Sequence, residues 1–498
     1  MESKELTRGA GILLAITSLP SSYGIGTLGE AAFQFIDLLV DLKQRYWQVL
    51  PIGPTSYGDS PYQSYSAFAG NPYLIDLDGL MKDGLLREAE VRNINWGTDE
   101  ADVDYSVIYE NRYKVLRVAF SRFSTLEESF ISFCKKEKQW LDDYALYTAL
   151  KKHFEDKEWQ RWDTSLKNRE QKALHEYQEI LHSEITFHKF CQYEFFKQWT
   201  NLKSYANSRG VKLIGDLPFY AALDSADVWA HRELFQLEED GMPSIVAGAA
   251  PDAFSKVGQK WGNPLFDWTR MEEDNFTWWK ARMKQGADMY DVIRLDYFTG
   301  IVRYYSVPIE EPDGRHGKWI KGPGKKLTDA MHEAIGDTCI IVEDLGPKKQ
   351  VAGVKKLMKK TGWPGIKVLM FAFDNDTANE HLPHNYADSN LVVYAGTHDN
   401  ETIVGYFKDK SEQELMYLYE YLNIQNKEEI PDALIRAAYA SIANVAIIQM
   451  QDLLKLGNEA RMNAPSTVGS NWKWRIGKDV LSEERRTWIR TLATVFRR

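Results

Sequence analysis

Cysteine is scarce in this chain. Its 498 residues hold three, Cys134, Cys191 and Cys339, scattered and with no CxxC. That argues against a disulfide framework and fits a reducing compartment. Long apolar runs are missing too: none approaches the roughly 20 residues a membrane span needs. The opening MESKELTRGAG has no apolar core of signal-peptide type. A cytoplasmic location with no membrane partner is the expectation. Positive charge is not in excess. Lys and Arg total 61 against 71 Asp and Glu, a formal net charge of -10, which argues against nucleic acid as the main partner. There is no tandem repeat or low-complexity tract. HExxH, EF-hand and GxSxG patterns are absent, and Pro383 inside His381-Leu-Pro-His384 opposes a helical metal-ligand pair. No metal or cofactor is expected.

Aromatic residues are plentiful: 16 Trp, 26 Tyr and 22 Phe. Most must serve the core, but Trp and Tyr also line sugar clefts, where flat rings cover the apolar faces of pyranoses. Short β-rich apolar runs recur at 11–16 (GILLAI), 47–52 (WQVLPI), 211–216 (VKLIGD), 292–296 (VIRLD), 339–343 (CIIVE), 366–371 (IKVLMF) and 391–395 (LVVYA). An eighth is expected just before Asn463. Helical patterns separate several of them. In residues 29–46, Phe33, Ile36, Val40 and neighbouring leucines fall on one side. Alternating strand and helix at this count predicts a (β/α)8 TIM barrel, one catalytic unit over residues 1–498. Residues 71–208 break the rhythm and read as a mostly helical insertion. Residues 225–268 read as loops over the barrel mouth, where post-strand loops build the site.

Gly24, Gly26 and Gly29 spell a GxGxxG, but seven residues separate it from the first strand, and the next strand ends in Pro51-Ile52 with no acid for a ribose. It reads as a glycine-rich barrel loop. The acids say more. Asp216, Asp296, Glu343 and Asp399 each follow an apolar run. Any one would serve as a helix cap or loop ion pair, but together they converge on one barrel mouth. Paired carboxylates without a metal cluster or a nucleophilic Ser or Cys suit glycosidic-bond chemistry, which needs one nucleophile and one proton donor. Arg294 lies two residues before Asp296, on the same strand face, placed to hold that carboxylate ionised. The same geometry would also make an ordinary ion pair. In CIIVEDLGP, period-two alternation puts Glu343 and Asp344 on opposite faces, so they should not be interchangeable. Asp344 is expected either to anchor the loop or, because the chain bends at Gly346-Pro347, to contact an acceptor sugar; the second is favoured.

Several long stretches resemble one family, the 4-α-glucanotransferases called amylomaltases or disproportionating enzymes. They are SLPSSYGIGTLG near the N-terminus, WQVLPIGPTSYGDSPYQSYSAFAGNP (47–72), GDLPFYAALDSADVW (215–229), GQKWGNPLFDW (258–268), RLDYFTG (294–300), VEDLG (342–346), GTHDNET (396–402), QDLLKLGNEARMN (451–463) and NWKWR (471–475). The resemblance implies a (β/α)8 barrel that transfers an α-1,4-glucan segment to the 4-hydroxyl of an acceptor glucose or maltooligosaccharide, with retention. It implies Asp296 as nucleophile, Glu343 as general acid then base, and Asp399 as a third acid binding sugar hydroxyls. Tyr62, Asp216, Arg294, His398 and Asn471 would line the donor glucose site, and Trp261 would contact sugars near the cleavage point. The chain departs from the family pattern at Tyr297 and Thr299 (usually His and Arg), at Ala253 (usually aromatic) and at Ser466 (usually Gly). Acceptor affinity is therefore expected below the family norm. Two other readings remain at this stage: an α-1,4-glucan hydrolase using the same acids, and a non-catalytic glucan-binding protein.

Overall fold

Four- to six-residue apolar runs make strands here because both of their faces are covered. A computed structural model describes residues 6–56, 58–251, 255–346 and 348–498. Its strands are β1 (Gly9–Leu13), β2 (Tyr46–Gln48), β3 (Lys212–Leu217), β4 (Ile245–Ala249), β5 (Gln259–Pro264), β6 (Val292–Leu295), β7 (Arg303–Pro308), β8 (Lys318–Lys321), β9 (Cys339–Val342), β10 (Gly365–Val368), β11 (Leu391–Tyr394) and β12 (Val445–Gln449). Eight form one parallel sheet in the order β10-β11-β12-β1-β2-β3-β6-β9. Every residue of β1, β6, β11 and β12 is buried, as expected for parallel strands wrapped by helices. The two ends of the order meet where the Val342 N–H donates to the Pro364 carbonyl at 2.9 Å. The sheet thus closes into a (β/α)8 barrel.

The eighth strand is Val445–Gln449, not the segment just before Asn463, which holds only the 3-10 turn Asn458–Ala460. Val445–Ile448 is an unbroken apolar run, whereas Asn463 belongs to the loop that follows the strand. The helix Glu30–Asp41 buries Ala32, Phe35, Ile36 and Leu39, the three- and four-residue spacing of one helix face. Val40, expected on that face, is 38% exposed, and Phe33 sits at its border against Tyr205. The GxGxxG is internal packing: a Cβ on Gly26 would stand 1.9 Å from the Ile16 carbonyl, and one on Gly29 would stand 2.1 Å from the Asp76 carboxylate.

From Pro72 to Ser208 the described chain forms helices and 3-10 turns, ending in the 27-residue helix His182–Ser208 that feeds β3. The stretch after β3 is not loops alone. Its strands β4 and β5 join β7 and β8, which follow β6, in an antiparallel sheet ordered β5-β4-β7-β8. The pairing links segments far apart in the chain, so neither segment announces it. No helix of the described residues is long and apolar enough to cross a membrane.

Candidate active site

Asp216 on β3 and Arg294 on β6 are register partners in adjacent parallel strands, so both side chains enter the barrel interior. Arg294 Nη1 donates to both Asp216 oxygens at 2.6 Å and to Asp296 Oδ1 at 3.1 Å, while Nη2 donates to Glu343 Oε2 at 3.1 Å. One buried cation thus faces three carboxylates. Burial opposes its charge, but Asp216, Asp296 and Glu343 outweigh burial and raise its pKa further.

Strand ends aim the two central acids. β6 stops at Leu295 and β9 at Val342, so Asp296 and Glu343 are the first residues beyond. Their N–H groups donate to the carbonyls of Leu217 and Leu295, each at 3.1 Å. Tyr297 then turns sharply, at φ 46°, and its N–H donates to Glu343 Oε2 at 3.1 Å. Burial first, and the Glu343 charge second, push the Asp296 carboxyl well above the ordinary carboxylate range, against the pull of Arg294.

Tyr62, on the loop after β2, donates to Asp216 Oδ2 at 2.9 Å and lies 2.6 Å from His398 Nε2. Since the phenol proton goes to Asp216, the His398 Nε2–H must be the donor to Tyr62. Asp399 Oδ2 lies 3.4 Å from the same nitrogen. His398 Nδ1 is buried without a partner among the described residues, which fits a neutral ring whose bare nitrogen is Nδ1. Asn463 Nδ2 donates to Asp399 Oδ1 at 2.6 Å, and Arg461 Nη2 donates to the Asp399 carbonyl at 3.1 Å. The turn carrying Asp399 is tied by Asn400 Oδ1, which accepts from the N–H and hydroxyl of Thr397.

These groups open onto a cleft of about 630 Å³ between the barrel mouth and the antiparallel sheet. Tyr62, Trp261, Arg294, Asp296, Glu343, Asp399 and Asn471 line it, with aromatic walls from Tyr220, Tyr297, Trp319 and Trp472. Trp261, on β5, stands edge-to-face with Tyr297, ring centroids 4.9 Å apart.

Three expected sugar-binding residues are placed otherwise. Asp216 and His398 are buried beneath the lining and act on the cleft through Arg294, Tyr62 and Asp399. Asp344 turns away from it: its Oδ1 accepts the Ile366 N–H at 2.9 Å. The loop-anchoring alternative holds, because the face opposite Glu343 meets β10 rather than the cleft. The Asn471 amide is engaged in its own loop, accepting from the Ala464 N–H at 3.0 Å and donating to the Thr467 carbonyl at 2.9 Å. Thr299 and Ser466 line the cleft, and Ser466 holds φ 67°, a conformation glycine adopts freely. Ala253 lies outside the described residues. Sequence reasoning missed the Tyr297 N–H and the Asn463 amide. Both lay within quoted family stretches, but nothing in the sequence showed the turn that aims the Tyr297 N–H at Glu343. Among the described residues, no group of His, Cys, Asp or Glu is gathered to hold a metal ion.

The profile of the 4-alpha-glucanotransferase family matches residues 14–480. The chain belongs to the 4-alpha-glucanotransferase family. A 4-alpha-glucanotransferase of Clostridium butyricum is 46% identical over 486 residues, covering 97% of this chain and 99% of that one. Another, from Thermus thermophilus, is 43% identical over 500 residues, with 98% and 99% covered. The structure of amylomaltase from Streptococcus agalactiae in complex with acarbose matches with a TM-score of 0.94 at 40% identity, over 99% of both chains. Family membership makes the protein an enzyme of glycosyl transfer and sets aside the non-catalytic reading.

Proposed function

We propose that the protein moves an α-1,4-glucan segment from a donor to the 4-hydroxyl of an acceptor glucose or maltooligosaccharide, with retention, through a covalent glucosyl-Asp296 intermediate. The observation that carries this reading is the Asp296–Glu343 pair, joined by one Arg294 guanidinium at 3.1 Å to each in an aromatic-walled cleft. Asp296 attacks C1 of the donor while Glu343, as general acid, gives a proton to the departing glycosidic oxygen. The C1–O bond breaks, a C1–Oδ bond forms, and the trailing sugar leaves with a free 4-hydroxyl. An acceptor 4-hydroxyl then gives its proton to Glu343 and its oxygen to C1, and Asp296 is released. Arg294 favours the ionised form of Asp296 at attack. Asp399, steadied by Asn463, binds ring hydroxyls and favours the flattened, cationic transition state. Tyr62 packs under the donor ring, and Trp261 covers the sugar beyond the cleavage point. The aromatic walls favour sugar over water as acceptor. Tyr297, Thr299 and Ser466 set acceptor affinity below the family norm.

Maltotriose tests this directly. The expected products are glucose together with oligosaccharides longer than the donor; glucose and maltose alone would make the protein a hydrolase. Glu343→Gln and Asp296→Asn are each expected to lower turnover of maltotriose by roughly 10³-fold or more. Near-normal turnover in either variant would sink its assignment.

A further inference from the structure

The barrel has one seam, and it lies beside Glu343. Every neighbouring pair in the strand order is joined by a parallel ladder, whereas β9 and β10 are the two ends of that order. Across the gap the Val342 N–H reaches the Pro364 carbonyl at 2.9 Å. An evenly spaced parallel ladder would next take the Ile366 N–H to the Val342 carbonyl. Instead a side chain takes it: Asp344 Oδ1 accepts that N–H at 2.9 Å. The fit is built on both sides. Asp344 is buried, and a Cβ on Gly365 would stand 2.6 Å from its Oδ1. Burial raises the Asp344 carboxyl, and Lys367, the next charge along β10, opposes that rise.

The geometry points to Asp344 as the positioning residue for Glu343, replacing the missing ladder bond and fixing where β9 ends. Glu343 is held toward β6 by its own N–H on the Leu295 carbonyl and by the Arg294 and Tyr297 donors. Toward β10 the seam holds it from either side in the chain, by the Val342 N–H on the Pro364 carbonyl before it and by the Asp344 carboxylate on the Ile366 N–H after it. Released from Ile366, the end of β9 moves toward β6, and the Glu343 carboxyl leaves the line between Asp296 and the glycosidic oxygen. The argument rests on Glu343 being the acid/base.

The test compares Asp344→Ala, Gly365→Ala and Asp344→Asn with the parent enzyme, on maltotriose and on α-maltotriosyl fluoride with azide. Fluoride departs without a proton and azide attacks without losing one, so the second reaction bypasses Glu343 while keeping Asp296. Asp344→Ala and Gly365→Ala are expected to lose roughly 10- to 100-fold in kcat on maltotriose, with KM within about two-fold, and to keep near-parental fluoride–azide rates. Asn keeps a carbonyl acceptor for Ile366, so Asp344→Asn is expected within about three-fold of the parent on both. An Asp344→Asn loss beyond 10-fold would assign the carboxylate a charge role and overturn the proposal, even if the alanine variants fail to fold. Parental kcat in folded Asp344→Ala, or equal losses on both substrates, would overturn it as well. Glu343→Gln, run alongside, separates the two layers: if it keeps maltotriose turnover, the acid/base reading itself has failed.

Discussion

Tyr62 keeps its phenol proton because burial, and then the charge of Asp216, raise its pKa well above the ordinary value. It therefore donates to Asp216, which leaves its oxygen to accept from His398. Tyr62→Phe retains the ring and removes both bonds. A hydrogen bond to a charged group contributes about 1.5–3 kcal/mol, so kcat on maltotriose is expected to fall roughly 10- to 100-fold while KM changes less. Steady-state kinetics would check this, and an unchanged kcat would remove Tyr62 from the proton-ordering chain. At this scale the sequence was informative about kinds of residue. Asp296, Glu343 and Asp399 stood out because each ends an apolar run or lies just past one. Asp216 stood out equally and His398 came from the family resemblance alone, yet both lie below the surface. Nothing in the sequence separates an acid that lines a cleft from one that braces the lining.

The end of β12 and the helix Met450–Leu453 after it brace the loop of Asp399. Asp452 Oδ1 accepts the Ile403 N–H at 2.7 Å, and Oδ2 accepts from Gln449 Nε2 at 3.3 Å. Burial, against those two bonds, raises the Asp452 carboxyl from 3.8 to about 7. The folded state thus binds this proton more tightly than the unfolded chain does. The stabilisation is complete below the unfolded value, and is lost as pH rises through the folded one. Asp452→Asn is expected to flatten the decline of stability between those two values, read as the urea midpoint across that range. A decline as steep as in the parent would show that other groups set it. The strand itself was misplaced from sequence, because the Asn463 motif drew attention away from the plain run VAIIQ. The antiparallel sheet was read as loops because its partners lie on either side of β6.

At the end of the barrel opposite the cleft, Arg498 stitches chain segments together. Its guanidinium donates to the carbonyls of Tyr439, Ala443, Ala438 and Ser441 at 2.6–3.1 Å, next to where β1 and β12 begin. Burial, and then Arg8, lower its pKa to about 9. Arg498→Ala would remove these charged hydrogen bonds and leave the Tyr439 carbonyl without its donor, while Ala443 and Ser441 keep Arg8 and Ala438 keeps the Ser441 hydroxyl. A loss of roughly 3 kcal/mol or more in stability is expected, seen as a lower thermal midpoint, with kcat on maltotriose at 25 °C unchanged. A fall in kcat at a temperature where the variant is folded would show that the two ends of the barrel are coupled.

By itself the sequence determined the alternation of strand and helix, and so the barrel. It also determined the acids at the strand ends, because burial on both faces demands apolar runs and a parallel sheet collects their ends on one side. It determined that Glu343 and Asp344 do different work, because neighbours along a strand face opposite ways. Only the tertiary structure decided what each face meets. The cleft lies before Glu343, and the seam with β10 lies before Asp344, since closing a barrel leaves one junction whose partners are far apart in the chain.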